Sequence, residues 1–335
     1  MIISDHAIAS SMGIVVKRTN LKRIDTERKV VEFDPQKHGK ITGSRFLAVL
    51  GKDRYTSEFK AACLIGRVFY DDTKTKYTEA GEVIEPVIRS YVRDNCDTLR
   101  DILKIEDGAD ITVEEPIAAK DCYYDHFRFD KVFGGMVDGF VNTRGRRNAI
   151  LEIKTSSDRS GWYDEDGNVR IPEGYYLQAS LYAQLAKLDR IVFAAAFLEE
   201  PDYENPENFV PTKENTLIVA VDKKDISAEM AAAKEWFNEY IINGRTPEWT
   251  ESDADIIDVL TSERIEEMPG NAPMMFKKYI RFMDSDEDLT DLEYSIIDLM
   301  SSAAVDGVSK VIYEQSGVSF VLSLEGVPRL TVTRI

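Results

Sequence analysis

Three cysteines, Cys63, Cys96 and Cys122, are all that the 335 residues contain. They stand too far apart for a Cys-x-x-Cys pair. So sparse and odd a count excludes a disulfide framework, a structural zinc site and a four-thiolate iron–sulfur cluster. Each reads as a small interior hydrophobe. Histidine is equally scarce, and His6, His38 and His126 show no ligand spacing. A metal bound here would need oxygen ligands, which selects magnesium, or manganese in its place. Long apolar runs are missing too. No stretch of about 18 apolar residues exists to span a bilayer. The opening MIISDHAIASSMGIVVKR lacks the basic-then-apolar order of a secretion signal. We expect a soluble, cytoplasmic protein with no membrane partner. A GKS or GKT phosphate loop is also absent, which excludes an ATP motor of the chain's own.

What is present is a strongly acidic chain with an uneven charge map. The formal net charge of −18 speaks at first against a nucleic-acid partner. Between residues 1 and 60, however, twelve Lys or Arg face seven Asp or Glu, a local +5. Between 251 and 300, fourteen acids face four basic residues, a local −10. A basic end beside a carboxylate site can hold phosphates while the acidic end stays in solvent. With 43% hydrophobic residues the chain can bury a large core, in one big domain or two. We divide it into a basic N-terminal arm (1–40), a core (41–250) and an acidic appended unit of helix and strand (251–335).

Periodicity orders the core. Residues 14–33 alternate loosely, as a basic hairpin or an arm. Residues 41–70 read as helical, broken at Gly51. Residues 79–94 (EAGEVIEPVIRSYVRD) form a second helix, whose Pro86 must then lie near its first turn, because inside a helix it removes a hydrogen bond. Strands follow at ITVEEPI, at 131–141 (KVFGGMVDGFV) and at 148–156 (NAILEIKTS), the last two joined by the polar turn NTRGRR. Residues 175–188 are helical, 190–198 and 216–222 are strands, and 225–243 is an amphipathic helix closed by Gly244. This alternation indicates an α/β fold with a central mixed sheet flanked by helices. An acidic linker, ESDADII, then leads to a helical segment and a terminal meander of SKVIYEQ, VSFVLSLE and RLTVTRI.

One constellation carries chemistry. Glu152 and Lys154 are two apart on a strand and share a face. Asp138, at the end of the preceding strand, reaches that face if the 142–147 turn sets the register. Two converging carboxylates with no His or Cys make a hard oxygen site, to which the backbone carbonyl of Ile153 adds a ligand. Such an ion activates water and neutralises charge on a phosphodiester, and Lys154 stabilises the developing charge. Glu85, on the 79–94 helix, is the candidate to complete the shell. Glu-x-Lys by itself is as readily a surface ion pair. Here it interrupts an apolar strand (Ala149, Ile150, Leu151, Ile153), where charges need partners or a metal. On the 175–188 helix, Gln178 and Tyr182 lie one turn apart on one face. Gln178 wants a partner in its apolar stretch, either Lys154 or a DNA phosphate.

Taken in order, GKITGSRFLAVLG (39–51), GEVIEP (81–86), GGMVDGFV (134–141), LEIKTSS (151–157) and, after Trp162, IPEGYYLQASLY (171–182) resemble the PD-(D/E)xK nuclease superfamily. Within it they resemble the phage-type alkaline exonucleases of the lambda exonuclease/YqaJ group, over roughly residues 37–245. The resemblance implies a restriction-endonuclease-like core and a magnesium-dependent 5′→3′ exonuclease on linear duplex DNA. It also implies a ring-shaped homotrimer and a partner single-strand annealing protein. Glu85, Asp138 and Glu152 fall on its metal ligands, and Lys154 and Gln178 on its catalytic positions. Lys37 and Ser44 fall on its 5′-phosphate positions, with Arg45 beside them and Tyr182 on the family's helix. Lys37 stands where an arginine is usual, a point charge instead of a bidentate fork. Ser44 also reads as a helix N-cap for 45–50, and the two roles coexist at a helix N-terminus. Arg144, Arg146 and Arg147 either touch the DNA backbone or form a solvated turn. An endonuclease, a RecB-like nuclease and a DNA-end-binding scaffold without cleavage are the alternatives.

Overall fold

The strand Arg190–Phe197, RIVFAAAF, is apolar along its length, and six consecutive side chains, Ile191 to Ala196, are fully buried. A strand apolar on both faces requires a cover on each. The computed structural model supplies both covers; it describes residues 14–16, 20–71, 74–115, 125–265, 268, 270–285, 287–304 and 308–335. His6 and Cys122 lie outside the described residues. Two compact units partition the chain, one of Gly39–Ala61 and Lys74–Glu239, the other of Met1–His38, Ala62–Thr73 and Tyr240–Ile335.

In the first unit, helices α1 (Gly43–Val49), α2 (Lys76–Asp94) and α3 (Cys96–Leu103) precede strand β1 (Ile111–Glu114). Strands β2 (Gly139–Thr143) and β3 (Arg146–Ser156) follow, then helix α4 (Glu173–Ala186), β4 (Arg190–Phe197), β5 (Thr216–Asp222) and α5 (Ser227–Trp236). The sheet order is β1-β2-β3-β4-β5. Only the β3–β4 pair is parallel; the other neighbours run antiparallel. This is the mixed sheet expected of a restriction-endonuclease-like core. On one face, Ala80, Ile84, Ile88 and Val92 of α2 pack against Leu151, Ile153, Val192, Ala194 and Ala196. On the other, Ala179, Tyr182 and Ala183 of α4 pack against Phe140, Ile150, Phe193 and Ala195, with Trp162 closing the layer. The three alanines of β4 remove bulk on both sides, which lets both helices approach.

Four local expectations are corrected. Pro86 is the eleventh residue of α2, well past the first turn. It is exposed, and so is Glu82, whose carbonyl loses the hydrogen bond, so water can serve that carbonyl. Thr75 starts the helix with a capping box to Thr78. The strand expected over 131–141 begins only at Gly139; Phe133 instead bridges to Ile41. Gly135 there has φ +128°, and a Cβ on it would come within 2.6 Å of the Tyr182 hydroxyl, so this stretch is shaped by close approach to α4. The ESDADII linker is itself helical, a 3-10 turn at Glu251–Asp253 leading into Ala254–Thr261. Finally, the turn joining β2 and β3 is two residues, Arg144 and Gly145, both at positive φ, with Thr143 opposite Arg146.

In the second unit, Leu21–Asp25 and Val30–Phe33 form an antiparallel hairpin, one of the two readings of 14–33, while Ile14–Val16 pairs instead with Phe69–Asp71. The Gly244 carbonyl accepts from the Phe33 amide, and the Thr246 and Trp249 amides donate to the Val31 and Lys29 carbonyls. The terminal meander is present, extended by an unforeseen parallel strand, Ser262–Ile265. Helices Ala272–Phe282 and Thr290–Ala303 join Val311, Val318, Phe320 and Leu322 in a core of its own, around Phe276. Gly244 has φ +68°, and a Cβ there would sit 2.6 Å from the Phe33 carbonyl oxygen. Gly244→Ala is therefore expected to destabilise the protein by about 2 kcal/mol or more, read as a lowered midpoint in urea.

Candidate active site

Period-two geometry on β3 places Ile150, Glu152 and Lys154 toward α4, and Ala149, Leu151 and Ile153 toward α2. Glu152 is 1% exposed. Its Oε1 sits 2.7 Å from Lys154 Nζ and accepts a 2.8 Å hydrogen bond from Gln178 Nε2. Gln178 thus bonds to the carboxylate and not to Lys154, one of the two partners expected for it. Glu152 Oε2 is buried without a hydrogen-bond partner. Lys154 Nζ also lies 5.2 Å over the ring of Tyr175, which packs against buried Trp162.

Asp138 enters from the residue just before β2. Its Oδ2 accepts a 2.7 Å hydrogen bond from the Ile153 amide, on the strand between Glu152 and Lys154. That bond fixes the carboxylate beside the Glu–Lys pair. Behind it stands Arg89, 6% exposed, which was not foreseen. Arg89 Nε donates to the Asp138 carbonyl at 2.8 Å, and its two terminal nitrogens pair with Glu85 and with Glu115 (3.2 Å). Glu85 and Arg89 are one helical turn apart on α2, a spacing that could have revealed the pair. The structure thus brings together Glu85, Asp138, Ile153, Glu152, Lys154 and Gln178.

Burial and mutual repulsion set the charges. Burial is the main cause pushing Glu152 up to about 7, with Asp138 and Glu85 adding repulsion and Lys154 opposing. Asp138 is raised by burial, against the pull of Lys154 and the Ile153 amide. Glu85 is raised by burial and then by Asp138. For Lys154, burial alone would favour the neutral amine; Glu152 and Asp138 outweigh it and hold the ammonium charged. Glu85, Asp138 and Glu152 stand against two cations, Lys154 and Arg89, so with all three carboxyls ionised the centre is net negative. Among the described residues, no group of three or more His, Cys, Asp and Glu side chains forms a finished metal cage. The donor set nonetheless fits a hard cation, because a buried carboxylate oxygen with no donor is costly unless something positive meets it.

Tyr182, 4% exposed, accepts a 3.0 Å hydrogen bond from the Gly43 amide. A Cβ on Gly43 would lie 2.6 Å from Gln178 Cγ and 2.7 Å from Tyr182 Cζ, so α1 reaches α4 only through a glycine. Ser44 does not cap α1: the helix starts at Gly43 with Thr42 as the cap residue, and the exposed Ser44 hydroxyl shares a 3.0 Å hydrogen bond with that of Thr42. Arg45 follows it, half-buried. Lys37, in the other unit, pairs with Asp34 at 3.5 Å. Arg144 pairs with Glu106, while Arg146 is exposed. Arg147 grips Glu114 with two nitrogens (2.6 and 3.3 Å) and lies 3.7 Å over Phe140, so it is committed to the sheet.

A five-stranded mixed sheet with a buried carboxylate–lysine centre on its middle strand defines the class, an α/β protein with its charged site inside the sheet layer. The profile of the YqaJ-like viral recombinase domain matches residues 32–189, a span holding every centre residue above, and the chain belongs to that family. It is 32% identical over 252 residues to the uncharacterized protein MG373 of Mycoplasma genitalium, covering 64% of this chain and 85% of that one. The Mycoplasma pneumoniae homolog of MG373 matches with the same identity and coverage. Among solved structures, an alkaline exonuclease from Laribacter hongkongensis aligns at 16% identity and a TM-score of 0.36, covering 61% of this chain and 89% of that one. A phage-related exonuclease from Haemophilus somnus aligns at 16% identity and 0.37, covering 61% and 96%. No described helix is long and apolar enough to cross a membrane.

The raised carboxyls set a pH dependence. Glu152 protonates more readily folded, about 7, than unfolded, 4.5. Its contribution is therefore complete below about pH 4.5 and lost as pH rises through about 7. The metal-free chain is expected to lose thermal stability across that window. Glu152→Gln should flatten this profile between pH 4.5 and about 7, checked by differential scanning fluorimetry in chelator.

Proposed function

We propose that the chain is a magnesium-dependent deoxyribonuclease, with manganese as a working substitute, that degrades linear duplex DNA from 5′ ends and leaves 3′ single-stranded tails for recombination. The observation that carries this reading is Glu152: buried, bonded through one oxygen to Lys154 and Gln178, and bare at the other. Asp138, Glu152, the Ile153 carbonyl and Glu85 are the groups that would hold the ion. When bound, such an ion lowers the pKa of a water and neutralises charge on the phosphoryl group.

The remaining work falls to the chain itself. Lys154 presents a fixed positive charge where negative charge grows on the phosphate. Gln178 holds Glu152 from the α4 side, and the Ile153 amide holds Asp138, so neither carboxylate must reorient during reaction. Arg89 ties α2, and with it Glu85, to the head of β2. Ser44 and Arg45 are our candidates to receive a terminal 5′ phosphate, with Tyr182 buttressing them from behind through the Gly43 amide. Lys37, Arg144 and Arg146 are candidate backbone contacts. A homotrimeric ring, a partner single-strand annealing protein and a cytoplasmic site of action complete the proposal.

The test is digestion of linear duplex carrying 5′-phosphate or 5′-hydroxyl ends, and of closed circles, in magnesium. Only linear DNA should disappear, fastest with 5′-phosphate, and Lys154→Ala should lower the rate by at least about 100-fold. Manganese should raise the Tm of the wild type and leave that of Asp138→Asn unchanged. Cutting of circles would replace this reading with an endonuclease. Binding without cutting would replace it with a DNA-end scaffold.

A further inference from the structure

Phe129 is 88% exposed, the most exposed of the large hydrophobic side chains described. Single exposed apolar residues are ordinary on protein surfaces. This one differs in how it is held. Asp125 Oδ1 accepts from the amides of Phe127 (2.9 Å) and Gly135 (3.0 Å), while its other oxygen pairs with Lys40 Nζ at 2.7 Å. Lys40 also donates to the Phe127 carbonyl. Downstream, Asp130 Oδ1 accepts from the amides of Val132 and Phe133, and the Asp130 amide closes the turn onto the Phe127 carbonyl. The 126–130 turn is therefore pinned from both ends, and Phe129 is presented outward by that scaffold.

The base of this turn rests on the candidate site. Phe127 stacks on Tyr182, with centroids 5.8 Å apart and planes 20° apart. Tyr182 in turn accepts from Gly43 and lies one turn from Gln178, the partner of Glu152. Arg128 and Lys131 are exposed, the Asp130 carboxylate between them is turned onto the Val132 and Phe133 amides, and the Arg128 guanidinium lies 5.0 Å over the Phe129 ring. An exposed aromatic ring with Arg128 against it and Lys131 two residues on suits a partner that is flat, apolar on its faces and anionic at its edges. A nucleobase on its phosphate backbone has that chemistry.

We propose that Phe129 stacks on a nucleobase of the DNA engaged at the site, with Arg128 and Lys131 on the adjoining phosphates. The inference rests on the nuclease reading. Because the turn is already ordered, the contact costs little conformational entropy. It is tolerant of sequence, since every base has a face.

The test titrates the full-length protein with duplex DNA carrying 2-aminopurine near one 5′ end, in chelator so that nothing is cut. Cleavage of the same DNA is then followed in magnesium. Phe129→Ala is expected to weaken binding about tenfold, to abolish the fluorescence change and to raise KM more than it lowers kcat. Phe129→Trp should bind like the wild type and show quenching of its own indole. The exposed side chain contributes little to folding, so an unchanged Tm for Phe129→Ala guards against a trivial loss. If Phe129→Ala binds and reports like a wild type that itself binds and cuts, the stacking role is overturned while the nuclease reading stands. A wild type that neither binds nor cuts DNA overturns both.

Discussion

The structure turns on a charged pair placed where sheet proteins keep hydrocarbon. Glu152 and Lys154 occupy the middle strand of a five-stranded sheet whose neighbouring positions are buried aliphatic side chains. Taking a carboxylate and an ammonium out of water is expensive even when they pair. A chain gains little stability from such an arrangement compared with two more aliphatic side chains. What it gains is a fixed electrostatic field, free of the reorganisation that water would require. Much of the surrounding architecture follows from keeping that pair in place. Gln178 reaches it from one helix, Asp138 is pinned beside it by a backbone amide, and Arg89 balances the surplus of carboxylates from the other helix.

Close packing does the rest. Tyr182 is wedged between Gly43 and Gly135, and either glycine could not carry a side chain without displacing it. The aromatic layer of Trp162, Tyr175 and Phe193 closes the far side of Lys154. These contacts have no chemistry of their own. They remove the rotational freedom that would otherwise blur the positions of the charged groups.

Much of this was legible in the sequence because two periodicities differ so clearly. Alternation of two located β3 and put Glu152 and Lys154 on one face; helical spacing put Gln178 and Tyr182 on another. The Cα partners Thr143 and Arg146 follow from the Arg-Gly turn. What was illegible depends on contacts between distant segments. Arg89 reads as one more surface arginine until α2 is docked on the sheet, when it becomes a buried bridge. The stretch 131–138 reads as strand by composition, yet Gly135 bends it toward a tyrosine 47 positions later in the chain. Pro86 reads as a helix start because propensity assumes an interior; its exposed position inside α2 relaxes that rule. Ser44 was misread as a cap for a simpler reason, since Thr42 two residues earlier is an equally good one.

The Arg89 bridge has a consequence for when the centre comes into being. Its partners lie on α2, just past β1 and at the head of β2, while Lys154 and Gln178 lie further along the chain. During synthesis Glu152 emerges well before the helix that supplies its Gln178 partner. No partial chain short of Gln178 holds Glu152 from both sides, and none lacking α2 neutralises the carboxyl excess. The alignment of these groups therefore belongs to the folded α2–α4 core and to no shorter stretch of it. A chain cut short of α4 carries the parts of the site without their alignment.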